Sequence, residues 1–265
     1  MDITALDRSA VTGISALHRT APPAKLVAAA LVLAAVVNVT DPLVVAGIAL
    51  TLAGTGAALR LPLRHMLPLA LYPSLFALVF AFAAAPGPVT GALFVFKAVT
   101  AALTVVTLMF TTPYPQVFAP IQRITPVLVG DALLMTYRSL FILGEKSADL
   151  LRAVRLRSGV SARQPVRAAQ ATTRALGGLL LYTFDLSQRE YDILRLRGYE
   201  GGLRVTPQRG TSAGGAAGAI VFGALALGCS LAFRTLPALA GYGWLVVVAG
   251  LVMLVGGMLL GRRAR

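Results

Sequence analysis

Two pairs of arginines, forty residues apart, are the side chains of this sequence best placed to do specific chemistry. One pair lies in Arg195-Leu196-Arg197-Gly198, within the stretch Ser187 to Tyr199, which reads as a short charged helix ended by glycine. The other lies in Arg155-Leu156-Arg157-Ser158, within a weaker copy running from Ser147 to Gly159. Ser147 falls on Ser187, Arg155-Leu156-Arg157 falls on Arg195-Leu196-Arg197, and a small residue follows in both. An apolar run ending in an acid precedes each copy, Ser139 to Glu145 and Leu179 to Asp185. A guanidinium meets a carboxylate by two parallel hydrogen bonds, a geometry that lysine cannot copy. Arginines two apart point about 200° apart on a helix, so the members of a pair cannot serve one site together. One can face the layer beneath while the other enters a partner. Leu150, Leu151 and Val154, then Ile193 and Leu194, supply an apolar side to each helix. Arginine in a last helical turn also answers the negative end of the helix dipole. The residues alone therefore leave two readings open, a docking device for a partner or a solvated or lipid-facing basic surface.

Other chemistries lack their residues. Gly144-Glu145-Lys146-Ser147 holds the Lys-Ser pair of a phosphate loop, but an acid replaces the second glycine and the first glycine is missing. The chain is not expected to hydrolyse nucleotide or to carry a cofactor of its own. His18 and His65 are the only histidines and Cys229 the only cysteine, too few for a soft metal site of the usual ligand types. Both histidines stand beside basic residues at expected membrane boundaries, and an interfacial role is expected for them. Cys229 lies in an apolar run and is read as a small packing residue. No paired carboxylates or Ser/His/Asp arrangement stands where a membrane enzyme would need one. Nucleic acid is not an expected partner, because aromatic residues are not interleaved with the basic ones.

The elements that must position the arginines follow from composition. Of 265 residues 57% are hydrophobic and only 13% charged, and the mean hydropathy is +0.78. These values belong to polytopic membrane proteins. The net charge of +14 is then the arginine-rich character of cytoplasmic loops. Residues 1 to 24 carry charge and prolines without an apolar core, so no cleavable signal peptide is expected. His18, Arg19 and Lys25 precede the first apolar run and place it as leaving the cytoplasm, with the Lys25 stem snorkelling to the interface. The expected spans are Leu26 to Thr40, Leu43 to Leu59, Leu67 to Ala85, Ala92 to Phe110, Ala219 to Phe233 and Trp244 to Leu260. Asp41-Pro42 makes the first outer turn, Pro86-Gly87-Pro88 the second, and Arg234 to Gly241 the third. Arg60 and Arg64, and later Arg262 and Arg263, mark the cytoplasmic side. The only charged residues of the outer loops are Asp41 and Arg234, and both termini are expected to be cytoplasmic. Gly214-xxx-Gly218 and Gly257-xxx-Gly261 match small-residue helix packing.

Between Thr111 and Gly210 the chain changes character, with 14 of the 24 basic and 7 of the 10 acidic residues. This part reads as a cytoplasmic or interfacial helical layer. Ile124 to Gly144 is nearly apolar enough for a span, yet Asp131 and Arg138 would be costly at the bilayer centre. It is read as an amphipathic helix lying under the spans. Leu176 to Phe184 is too short to cross alone. The expected fold is all-α, about six transmembrane helices with a cytoplasmic layer. Its divisions are a four-span region 1–110, a basic helical region 111–210 and a two-span hairpin 211–265.

At the arginine pairs the chain resembles the transmembrane, or T, subunit of energy-coupling factor transporters, most of all the cobalt-transport branch. In that family two short motifs, usually Ala-Arg-Gly or Ala-Arg-Ser, end the helices that insert into grooves of two ATP-binding cassette subunits. The matching positions are Leu156-Arg157-Ser158 and Leu196-Arg197-Gly198, with leucine in place of alanine in both, and Arg155 and Arg195 in support. The resemblance extends to Leu17-His18-Arg19 through Lys25-Leu26, to Thr111-Thr112-Pro113-Tyr114-Pro115, to Tyr137-Arg138-Ser139-Leu140-Phe141, and to Arg197-Gly198-Tyr199-Glu200-Gly201. The final two-span hairpin carries no such signature.

The resemblance implies a non-catalytic scaffold in the bacterial inner membrane. Its implied partners are two ATPase subunits, the same or different, which bind the ATP, and a separate substrate-binding membrane (S) subunit. The implied substrate is cobalt or nickel, with a vitamin such as biotin as the alternative. A self-contained carrier would need polar residues at the midplane of its spans, and few are present. A membrane enzyme would have to start from Asp131 and Arg138.

Overall fold

The computed structural model describes residues 17–59, 61, 63–122, 125–158, 165–203, 213–236 and 241–263. Among these the regular elements are all helices: α1 Pro22–Asn38, α2 Pro42–Ala58, α3 Leu63–Ala84, α4 Pro88–Thr111, α5 Tyr114–Ile121, α6 Val127–Ser158, α7 Pro165–Leu196, α8 Ala213–Thr235 and α9 Gly243–Arg263. The chain divides into two compact units, Met1–Val117 with Pro207–Arg265, and Phe118–Thr206.

Each of the six apolar runs expected as a span forms a helix, α1 to α4, α8 and α9. Length and apolarity sufficient to cross a membrane are found in His65–Ala84, Pro88–Thr111, Gly214–Thr235 and Val127–Leu156. Helices α1 and α2 and the stretch Gly243–Leu259 are apolar but shorter. The fourth long stretch contains most of the segment read from sequence as lying beneath the spans. Its charges, Asp131 and Arg138, are partnered within the second unit, as described below.

In the first unit, turn residues set where helices begin. The Asp41 carboxylate accepts from the Leu43 backbone amide at 3.0 Å, and Pro42 opens α2 with a ring that needs no amide hydrogen bond. Pro88 opens α4 in the same way after Gly87. Helix α2 packs on α9, α1 on α8, α3 on α4, and α4 also on α1 and α2. The main core joins Val32, Ala35, Val36 and Val39 of α1 and its end to Val44, Val45 and Ile48 of α2 and Ala226 of α8. Cys229 packs against this cluster.

The closest helix approach uses glycines seven apart rather than four. A Cβ at Gly47 would lie 2.7 Å from the Val246 backbone, and one at Gly54 equally close to the backbone of Met253 and Leu254. Gly250 faces the Gly47 carbonyl in return, and Gly257 faces that of Gly54. Two turns of each helix thus meet backbone to backbone, and α2 and α9 run parallel. Of the two glycine pairs expected from sequence to pack, the first is corrected here, since Gly214 and Gly218 have nothing within 4 Å of an added Cβ, while Gly257 of the second makes the close approach to α2. The surroundings of Gly261 lie outside the described residues.

Basic side chains, of which Lys25 is buried, tie the helix ends together. Lys25 Nζ donates to the Thr111 carbonyl at 2.8 Å, so this lysine is buried and does not snorkel outward. A free carbonyl at the end of α4 needs a donor, and a nearby ammonium supplies one in place of water. His18 Nε2 lies 3.1 Å from the Phe110 carbonyl, which can only accept, so that nitrogen carries the proton. Towards the Asp41 end, Lys97 Nζ donates to the Val37 carbonyl at 3.0 Å, and Arg234 donates to the Asn38 side-chain oxygen at 2.8 Å. Arg60, Pro207 and Gly210, with the side chains of Arg64, Arg262 and Arg263, lie outside the described residues.

Candidate functional site

The two arginine pairs sit at the ends of long helices. Each copy of the motif, expected as a short charged helix, continues its preceding apolar run without a break, giving 32 residues in both α6 and α7. No proline or turn residue separates Gly144 from Ser147 or Asp185 from Ser187, so nothing stops the helix there. Pro165 opens α7, where a missing amide is harmless.

The two helices run antiparallel. Asp131, near the start of α6, meets Tyr199, Gly202 and Leu203 just beyond the end of α7. Further along, Arg138 Nε lies 3.6 Å from a Glu190 carboxylate oxygen, and the Ser139 hydroxyl donates to the other at 3.5 Å. Further still, the Lys146 ammonium lies 5.2 Å above the Tyr182 ring. Partners therefore descend along α7 as they ascend along α6. The two motifs, each at a C-terminal end, consequently lie at opposite ends of the pair. Arg157 stands 26 residues beyond Asp131 on α6, roughly 40 Å at the rise of an α-helix.

The second motif ends α7 in a complete glycine cap. Gly198 takes φ 71, in the left-handed region where a Cβ is penalised. The Gly198 amide donates to the Arg195 carbonyl at 3.1 Å, and the Tyr199 amide reaches back to the Leu194 carbonyl at 3.0 Å. Arg197 is thereby the last residue before the chain turns away. Arg195, Leu196 and Arg197 are all exposed. In the first motif Arg155 and Leu156 are exposed and Arg157 and Ser158 complete the last turn of α6; the side chains of these last two lie outside the described residues. Leu156 and Leu196, matched by the repeat, are each 87% exposed. A leucine bare to that degree at both helix ends is apolar surface suited to covering by a partner.

Beyond the cap, the Tyr199 hydroxyl donates to Asp131 Oδ2, joined there by the Gly202 amide at 2.9 Å, while the Leu203 amide donates to Oδ1 at 2.7 Å. The Asp131 carboxylate holds the Tyr199 phenol above its ordinary range. Asp131 and Arg138, the polar pair singled out from sequence, are thus not each other's partners. Sequence reasoning missed Glu190 and the role of Tyr199. A carboxylate in an apolar run and the glycine-rich Gly198-Tyr199-Glu200-Gly201-Gly202 are the signals from which the pairing could have been sought.

The profile of the CbiQ family, described as cobalt transport protein, matches residues 13–208. The chain belongs to this cobalt transport protein family. Curated protein sequences, by contrast, give no match to it. The family match covers α1 to α7, including both arginine motifs and the Asp131 loop, and stops before α8. Family and apolar helices together make the chain a membrane transport protein. Within this family region the structure also joins two stretches far apart in sequence, Leu17 to Lys25 and the pair Phe110 and Thr111, through His18 and Lys25.

Proposed function

We propose that this cobalt transport family member is the T subunit of an energy-coupling factor importer. In this reading it is a non-catalytic scaffold of the bacterial inner membrane with both termini in the cytoplasm. The observation that carries the reading is the placement of two matched arginine ends at opposite ends of one antiparallel helix pair. Two sites roughly 40 Å apart suit two separate partners better than one. Each site offers the same chemistry, a guanidinium beside a bare leucine, and so suits two ATPase subunits of one kind, identical or closely similar. Each guanidinium pairs with a carboxylate in an ATPase groove and the leucine fills an adjoining apolar recess.

ATP-driven closure of the two ATPases then moves both ends of the pair, and two 32-residue helices are long enough to act as levers. The movement reorients a separate substrate-binding membrane subunit. Cobalt or nickel is the favoured substrate, in line with the family, and its ligands belong to that subunit; a vitamin such as biotin is the alternative. A self-contained carrier is disfavoured because the cations of α1 and α4 are already engaged with backbone carbonyls.

The experiment is co-purification of the chain with its ATPases, together with metal uptake, for Arg157→Glu, Arg197→Glu and the double variant. Each single change is expected to weaken association and the double change to abolish it. Full association and uptake in the double variant would sink the reading.

A further inference from the structure

The loop that follows the second motif turns back onto the root of the other helix. Gly198, Gly201 and Gly202 take φ values of 71, 100 and 90, all in the region that favours glycine. These three turns within five residues deliver a hydroxyl and two backbone amides to one carboxylate, that of Asp131, which is 4% exposed. The Gln122 side-chain amide donates to the Leu203 carbonyl at 3.2 Å and holds the same loop a second time. A buried carboxylate is costly unless its oxygens are hydrogen-bonded, and here both are. The loop therefore has one strongly favoured position, set by Asp131.

We propose that Asp131 is a positioning residue for the second arginine motif. By fixing the loop that leaves Gly198, it fixes the direction in which Arg197 projects, and so sets how tightly one ATPase subunit holds that end of the pair. Asp131 does this without itself meeting the ATPase. The inference rests on the reading of the motifs as ATPase docking ends. The effect is confined to one end, since Arg157 lies roughly 40 Å away along α6.

The test is a set of affinities between the full chain in detergent and its ATPase subunits. Asp131→Ala is introduced alone, with Arg157→Ala and with Arg197→Ala. Asp131→Ala is expected to weaken binding about tenfold alone and again beside Arg157→Ala, but to add nothing beside Arg197→Ala, because sites acting through one contact do not add. Asp131→Asn, which keeps one acceptor oxygen, should recover part of the loss. Equal weakening in all three backgrounds, or none in any, overturns the proposal. If Arg197→Ala itself leaves affinity unchanged, the docking reading fails and the proposal falls with it. A second measurement needs no partner: amide hydrogen exchange at Gly202 and Leu203 should quicken in Asp131→Ala, with α8 unchanged. Unaltered exchange there would overturn the latch whatever the ATPases do. Should Asp131→Ala fail to fold, Tyr199→Phe removes one donor and is expected to act in the same direction in both measurements.

Discussion

The ammonium of Lys25 sits 2.8 Å from the carbonyl oxygen of Thr111, although 86 residues separate them. Burial of a lysine is costly unless its N–H groups are used, and here one satisfies a carbonyl that the end of α4 leaves free. Lys25→Met keeps the apolar stem and removes the donor. It is expected to destabilise the chain by about 1–3 kcal/mol, the usual cost of leaving a buried polar group unpaired. A lower midpoint in a thermal aggregation assay of detergent-solubilised protein would report it, and an unchanged midpoint would show the contact to be dispensable.

The glycines of α2 and α9 allow a sharper comparison. At Gly54 a methyl group would lie 2.7 Å from the backbone of Leu254, which cannot step aside as a side-chain tip could, whereas at Gly214 it would meet nothing. Gly54→Ala should therefore cost about 1–3 kcal/mol through overpacking. Gly214→Ala, in the first turn of α8, should be neutral or mildly stabilising. Thermal midpoints of the two variants measured side by side decide the matter.

Both glycines stand in apolar runs rich in small residues, and this shows where sequence stops being informative. The apolar runs of α1 to α4, α8 and α9 could be read as helices because a membrane leaves a backbone few alternatives. Which face of each meets a neighbour is another matter. When nearly every residue is apolar, no polar stripe marks the outside, and Gly47 and Gly54 look no different from Gly214 and Gly218. The arginine repeat stood out because charge is rare in such a chain. The length of α6 and α7 does not, since the change from an apolar run to a charged one resembles a boundary although no helix breaker lies there. The burial of Lys25 is hidden for a related reason: a lysine at the edge of an apolar run snorkels by default, and its acceptor, Thr111, is distant in sequence. Asp131 was legible as a costly charge, but its donors lie about 70 residues on and two of them are backbone amides, which carry no sequence signature.

Leu156 and Leu196 should separate docking from folding. Each is 87% exposed, so Leu→Ser at either position should change stability by less than about 0.5 kcal/mol. If each leucine fills an apolar recess in an ATPase, the same changes should weaken ATPase association by about tenfold each, as loss of a buried anchor does. Thermal midpoints of the lone chain and affinities for the ATPase subunits give the two halves of the comparison. Unaltered affinity in the double variant would leave the arginines as the sole docking groups.

Gly198 tests whether the helix end itself matters to the motif. At φ 71 an alanine is strained by about 1–2 kcal/mol, while asparagine tolerates the same conformation more readily. Gly198→Ala should loosen the turn in which the Tyr199 amide reaches the Leu194 carbonyl, and Gly198→Asn should largely preserve it. The strain acts on the end of α7 and not on the end of α6. If this helix end docks an ATPase, association in the Gly198→Ala chain should therefore fall to roughly the level seen with Arg197→Ala, and Arg157→Ala should lower it further. If alanine and asparagine behave alike, the left-handed turn is not what presents Arg197, and the motif works through its side chains alone.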